Sequence, residues 1–419
     1  MTKLNTVICQ HRNNLTAKVC DYLTNFNCKT RFFYGLPKIH KNKIITEACK
    51  KSISTCITVP RPTDLKMRPI VAGPNCETHR LSNFIDILLK PILKCIPSIV
   101  RDDLDLLNHL PKHTNKDIFI VSFDVINLYT TIPHQYGLET IKFWLEKYSN
   151  EVPERIRNEF MIEGLKFILQ NNFLNFNNNT YRQVSGTAMV TKFAPTYANL
   201  VMAYLELQIY EEFKSKYGLS FHKYLLENWK CYLDCLILWS HTLDQFIDFK
   251  NLINSVNNHI QFTMEYSQDQ LPFLDILIIK KGINIETDIH YRPTDSKQYP
   301  LFTSNHPKYT KTNIPFNLAR RICTTVSNYR TRNKRLQELK AILLERHYPA
   351  SLVDNGIERA KTIATQDLRK SKHTHVTLNS LPHFSTHNPR NAKAYTIRYK
   401  NIPQLSQDPR LKKCSQPIK

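Results

Sequence analysis

FDVINLYTTIP, residues 123–133, closes an apolar run that starts at Ile118 and ends on Asp124. Ile118–Phe123 has the length and content of a buried strand, and Pro133 lies soon after it. A second apolar run, YLDCLILW (232–239), carries Asp234, 110 residues further on (234 − 124). A carboxylate at the end of a buried strand is costly unless something compensates it. Spacing alone leaves two arrangements open. The two aspartates converge on divalent metal, as in two-metal phosphoryl-transfer sites, or each caps a turn or helix independently, which is the commoner fate.

Outward from these runs, local patterns supply a mixed set of elements. DLKMRPIVAGP (64–74) alternates charged and apolar residues into Gly73-Pro74, as a strand entering a turn does. Leu81–Leu93 has apolar residues at 81, 84, 85, 88, 89 and 92, which is helical spacing. Leu138–Tyr148, Arg155–Gln170 and Ala194–Phe213 also read as helices. Pro272–Lys280 and Asn284–Tyr291 read as two strands around Lys281-Gly282. FFYGLPKIHKNK (32–43) reads as an aromatic–Gly–Pro turn followed by a basic run. Phe316–Leu344 reads as basic helices, and the pattern weakens after about residue 368 into an expected extended basic tail.

Composition narrows the function. The chain of 419 residues has 58 Lys+Arg against 35 Asp+Glu, a net charge of +23. Nine Lys/Arg face a single acid, Glu338, in residues 301–340, and eleven face only Asp408 in 369–419. Charge concentrated in this way points to a polyanionic partner, nucleic acid before membrane. Eight glycines in the whole chain exclude collagen-like and glycine-rich low-complexity classes. The eleven cysteines include no CxxC pair. Cys231 and Cys235 fit no usual zinc spacing, so free thiols in a reducing compartment are expected. The polar N-terminus is unlike a signal peptide, and Phe84–Val100 is interrupted by Lys90, Pro91 and Lys94. An intracellular, soluble chain that spans no membrane is the expectation.

Seven segments occur in one order: YGLPKIHK (34–41), LKMRPIVAGPNCETHRLSNFIDILLKP (65–91), FDVINLYTTIP, QVSGTAMVTKFAPTYANLVM (183–202), YLDCLILW, LPFLDILI (271–278) and HPKYTKTNIPFNLARRIC (306–323). Together they resemble the reverse transcriptase of Penelope-like retroelements, from about residue 30 to about 415. The resemblance implies an α/β (α+β) right-hand polymerase. Residues 1–115 would be partial fingers, 116–300 the palm with inserted finger and helical segments, 301–368 a basic helical thumb and 369–419 the tail. It implies RNA-directed DNA polymerase activity in the nucleus. The cofactor would be Mg2+, with Mn2+ as a substitute. The partners would be an RNA template with a DNA primer, RNA–DNA hybrid and deoxynucleoside triphosphates.

The resemblance assigns roles residue by residue. Asp124 and Asp234 would be the catalytic metal ligands. Tyr129 would exclude a ribose 2′-hydroxyl by bulk, although by itself it reads as strand-end packing. Lys66 and Arg68 would hold the triphosphate, Arg as a fork and Lys as a point charge; by themselves they read as solvated strand charges. Lys308, Lys311, Arg320, Arg321, Arg330 and Arg332 would track the primer–template backbone.

Three departures from the family pattern stand out. Cys235 replaces the usual second aspartate, and a thiol is a poor magnesium ligand. Val190 replaces a glycine that would lie near the nascent base pair. No Gly-Ile-Tyr and Tyr-Ile-Gly strands of the family's GIY-YIG nuclease occur, so the chain reads as a fragment of a longer element or a decaying copy. Impaired activity is the resulting expectation. The alternative is a polymerase-fold relic that binds nucleic acid without extending it.

Overall fold

A computed structural model describes residues 2–363, apart from 53, 55, 61 and 74, together with 411–413. The basic tail expected over 369–419 lies outside the described residues except for a short strand at its end.

The first part of the chain alternates helices and edge strands. Helices α1 (Thr2–Gln10) and α2 (Ala17–Thr24) precede strand β1 (Phe32–Pro37), helix α3 (Lys43–Lys51) and strand β2 (Met67–Ala72). FFYGLP is thus a strand and not a turn. Antiparallel pairing with β2, from Phe32↔Ala72 to Pro37↔Met67, overrides its Gly-Pro signal. Helix α4 (His79–Leu93) buries all six of the positions picked out by its helical spacing. Its Asp86 accepts a 2.6 Å hydrogen bond from Thr196 of a later helix. Helix α5 (Asp103–His109) opens on Asp102, whose side chain accepts from the Asp105 backbone N–H.

The central segment supplies strand β3 (Phe119–Val125) and helices α6 (Leu128–Thr131), α7 (His134–Lys147) and α8 (Asn158–Gln170). Strands β4 (Phe173–Phe176) and β5 (Asn179–Gln183) form a hairpin. Its turn residues, Asn177 and Asn178, have φ of 48° and 59°, as a two-residue turn with two left-handed positions requires. The hairpin joins β1 and β2, and β12 (Leu411–Lys413) adds to β5, giving the order β12–β5–β4–β1–β2.

Helix α9 (Ala194–Tyr217) is buried over most of its length and leads into α10 (Leu219–Asn228). Strands β6 (Lys230–Tyr232) and β7 (Asp234–Trp239), helix α11 (Leu243–Ser255) and strand β8 (Phe262–Ser267) come next. A four-stranded antiparallel sheet runs β6–β7–β3–β8. Alternation along its strands sends successive side chains to opposite faces. Val121, Phe123, Cys235, Ile237 and Trp239 enter the largest core with α4, α9 and α11. Ile120, Leu236 and Leu238 pack on the other face against Leu271, Phe273, Ile276 and Ile278. Those four come from β9 (Gln270–Phe273) and β10 (Ile276–Lys281), which with β11 (Asn284–Ile289) form a separate three-stranded sheet. Leu274, with φ of 54°, interrupts what the sequence presents as one strand from Pro272.

Helices α12 (Lys308–Thr325), α13 (Tyr329–Glu345) and α14 (Ala350–Thr362) share a small core of their own, including Ile322, Leu339, Leu343, Val353 and Ile357. The chain therefore has a mixed helix-and-sheet fold, with a five-stranded sheet, a four-stranded sheet backed by a three-stranded one, and a helical core at residues 308–362.

Candidate active site

Register brings the two aspartates together. The β3–β7 ladder ends at Phe123↔Cys235, and its next step opposes Asp124 to Asp234. Both fall on the face opposite the helices, past the rim of the three-stranded sheet. Asp234 lies at the tip of the β6–β7 hairpin, where Leu233 has φ of 65°. The Leu233 N–H donates to Asn199 Oδ1 at 3.2 Å, which ties the tip to α9. Asp234 Oδ1 accepts from the Val125 N–H at 3.4 Å, and its carboxyl lies within hydrogen-bonding reach of Asp124. Burial first, and the Asp124 carboxylate second, push Asp234 up to about 7.

Cationic residues from the segments around β1 and β2 crown this pair. Lys41 makes an ion pair with Asp124. Lys38 Nζ donates to Asn127 Oδ1 at 3.4 Å, and its backbone N–H donates to the Lys66 carbonyl at 2.8 Å. Burial, then the charges of Lys41, Arg68 and Lys66, hold the Lys38 ammonium below its ordinary range. Burial, then Arg292, Lys41, Arg68 and Lys38, lower His40 as well. The structure thus assembles Lys38, His40 and Lys41 from the YGLPKIHK segment with the expected Lys66 and Arg68. The sequence carries a signal for them, since PKIHK puts three basic side chains within four residues. Strand β1 ends at Pro37, and a 3-10 turn at Ile39–Lys41 that follows it carries these side chains to the carboxylates.

Tyr129 is half-buried on α6, just after Asn127 in the left-handed region at φ 52°. Burial pushes its phenol up to about 12, with Tyr232, Arg68 and Asp234 as its ionisable neighbours. Its carbonyl accepts the Thr187 N–H at 2.6 Å. Gly186, at φ 70°, makes this approach feasible, because a Cβ there would drive into the Tyr129 carbonyl and the Thr130 backbone. Val190 lies further along, on the loop before α9, and is 51% exposed.

Cys235 is not part of the carboxylate pair. It faces the opposite side of β7, is fully buried, and donates to Cys231 Sγ at 3.2 Å. The expected loss of a ligand at this position therefore has a different geometry, because the side chain occupies the core and not the cation site.

The cations expected to track the primer–template backbone, on α12 and α13, divide into two groups. Lys311 Nζ donates to the Phe302 and Ser304 carbonyls at 2.7 and 2.6 Å. Arg332 donates to the Val326 and Ser327 carbonyls at 3.0 and 3.4 Å, closing the end of α12. Arg321 pairs with Asp275 at 2.9 Å. These three have structural partners inside the fold. Lys308, Arg320 and Arg330 are exposed, and the described residues give their side chains no hydrogen bond or ion pair. A cavity of about 580 Å³ lies between the β6–β7 hairpin and α12, lined by Asp103, Tyr232, Asp275, Arg292, Arg320 and Arg321. Tyr232 places it next to the hairpin that carries Asp234.

The donors around Asp124 and Asp234 are all oxygens, with one burial-strained carboxyl poised to lose its proton. That set suits a hard divalent cation such as magnesium. Among the described residues, no helix is long and apolar enough to cross a membrane.

Residues 298–358, which span α12, α13 and most of α14, match a family model described as an animal helix-turn-helix domain. No curated protein matches the chain. Solved structures with partial likeness include telomerase from Candida albicans in complex with a fragment of telomeric RNA. It has a TM-score of 0.49 at 8% identity and covers 85% of this chain and 59% of that one. The RNA-dependent RNA polymerase of a human picobirnavirus has a TM-score of 0.47 at 12% identity, covering 74% and 59%. A truncated apo telomerase from Candida tropicalis has a TM-score of 0.38 at 12% identity, covering 54% and 53%. The chain spans between half and three fifths of the length of these proteins.

Proposed function

We propose that this chain is an RNA-directed DNA polymerase of the Penelope-like type, which adds deoxynucleotides to a primer 3′-hydroxyl. One observation carries the reading. Asp124 and Asp234 meet on one open face of the palm sheet, under cations from the fingers. Asp124 and Asp234 would hold magnesium, which when bound neutralises charge on the reacting phosphate and lowers the pKa of the attacking hydroxyl. Lys38, Lys66 and Arg68 would hold the triphosphate oxygens and orient the α-phosphate for in-line attack as pyrophosphate leaves. The neutral Tyr129 ring would close the space that a 2′-hydroxyl needs. Lys308, Arg320 and Arg330 would follow the duplex backbone. The helix-turn-helix likeness of the thumb supports nucleic-acid contact there. RNA–DNA hybrid as the bound duplex and a nuclear location belong to the same proposal.

A second reading has one observation in its favour. The Lys41 ammonium sits on Asp124, where it competes with a divalent ion. In that reading the fold binds RNA–DNA hybrid without extending it. Primer extension on an RNA template, in magnesium and in manganese, separates the two. Incorporation that disappears in Asp124→Asn supports the polymerase. Salt-sensitive hybrid binding with no incorporation in either metal supports the relic.

A further inference from the structure

We propose that Glu206, Cys231 and Cys235 form a site for a thiophilic divalent cation, zinc above all, in the core beneath the Asp234 hairpin. The three come from α9, β6 and β7. Cys231 and Cys235 oppose each other across the hairpin, with their sulfurs 3.2 Å apart. One carboxylate oxygen of Glu206 and both sulfurs all lie within 4.8 Å of one another. Zinc binds sulfur at about 2.3 Å and carboxylate oxygen at about 2.0–2.2 Å, so tetrahedral ligand atoms stand roughly 3.5–3.8 Å apart. From 3.2 Å, the sulfurs need to separate by roughly half an ångström to reach that spacing.

A second observation points to a ligand. Glu206, Cys231 and Cys235 are 2%, 1% and 0% exposed. Glu206 Oε1 nevertheless has no hydrogen-bond partner, and neither do the Trp229 Nε1 and Tyr210 hydroxyl groups. Ser98, Trp229 and Cys231 lie near the carboxylate, yet none satisfies that oxygen in hydrogen-bonding geometry. A buried carboxylate left in this way is costly, and a cation removes the cost. A cavity of about 190 Å³, lined by Ser98, Trp144, Tyr148, Glu206 and Tyr210 among others, reaches the carboxylate from the side. It has room for water as a fourth ligand. Lys230 adds positive charge nearby, against the excess of three anionic ligands over a divalent ion.

The donor set separates this site from the carboxylate pair above it. Thiolates select zinc and reject magnesium, whereas the Asp124–Asp234 pair offers only hard oxygens. Bound zinc would staple β6 and β7 to α9 and fix the hairpin tip that presents Asp234. The site does not depend on the polymerase reading.

The test uses the full chain, purified reduced, stripped with chelator, and re-equilibrated with zinc or cobalt in excess magnesium. Metal content and the cobalt–thiolate charge-transfer absorbance are measured. The expected result is one zinc per chain and a thiolate band, both lost in Cys231→Ser/Cys235→Ser. Cys323→Ser, a buried thiol in the thumb, keeps both. Should the double variant fail to fold, Glu206→Gln with native circular dichroism is expected to hold zinc more weakly. Folded, reduced wild-type protein that takes up no zinc overturns the proposal. So does unchanged zinc content in a folded double variant.

Discussion

Asp234 shows how one side chain couples proton, cation and fold. Its carboxyl is raised to about 7 by burial and by Asp124. The folded chain therefore binds more protons than the unfolded chain between about pH 4 and pH 7. Stability from this group is present at the acid end of that window and is lost as pH rises through it. With chelator present, the wild-type Tm is expected to fall across this range more than that of Asp234→Asn. A saturating divalent cation should flatten the difference. Thermal denaturation monitored by circular dichroism reads both effects. At Tyr129 the prediction concerns selectivity. Tyr129→Ala should improve ribonucleotide use relative to deoxynucleotide use, by roughly ten- to a hundredfold if the ring fills the 2′ space. Competing single-nucleotide incorporations measure it, and an unchanged ratio removes Tyr129 from that role.

Among the elements, the turn at Gly186 and the end of α12 are the sensitive joints. Gly186→Ala puts a Cβ into the Tyr129–Thr130 backbone at a left-handed position, and should cost about 1–3 kcal/mol. Chemical denaturation checks this. Arg332 and Arg320 are expected to behave differently although they lie on the neighbouring helices α13 and α12. Arg332→Ala loses hydrogen bonds to the Val326 and Ser327 carbonyls and should lower stability by roughly 1 kcal/mol. Arg320→Ala should leave stability alone and reduce the slope of log affinity against log salt by about one phosphate contact. Salt titration of hybrid binding, paired with denaturation of both variants, distinguishes them.

Over the whole molecule, β3 and β7 are legible in the sequence because each is a short apolar run that carries one carboxylate. Alternation also determines that Asp124 and Asp234 share a face once their strands pair. The sheet that holds β1 and β2 is less legible. Gly35 and Pro37 in FFYGLP argue for a turn, and only pairing with β2 makes it a strand. The basic run PKIHK marks Lys38 and Lys41 as cations, but their places beside Asn127 and Asp124 depend on the 3-10 turn after that strand, which no local pattern shows. The β4–β5 hairpin turns on two left-handed asparagines, a signal that lies within NFNNNT (175–180). Thumb charge is evident, but its division between exposed cations and cations that cap the fold depends on contacts that no composition shows. Position 235 makes the same point. Cys235 lines up with a missing metal ligand, yet parity along β7 sends it into the core beside Glu206. Cys235→Asp is therefore expected to lower Tm and not to strengthen the cation site, because it buries a second carboxylate beside Glu206.

If Asp124 and Asp234 hold divalent cations for templated synthesis, single-nucleotide incorporation on an RNA-templated DNA primer should depend on both the metal and the carboxylates. Wild type and Asp124→Asn are compared at equal hybrid occupancy, in magnesium and in manganese. Metal-dependent incorporation is expected from the wild type and is expected to vanish in Asp124→Asn, with hybrid binding retained. Equal incorporation by both proteins, or none by wild type that binds the hybrid, would contradict this role for the carboxylate pair.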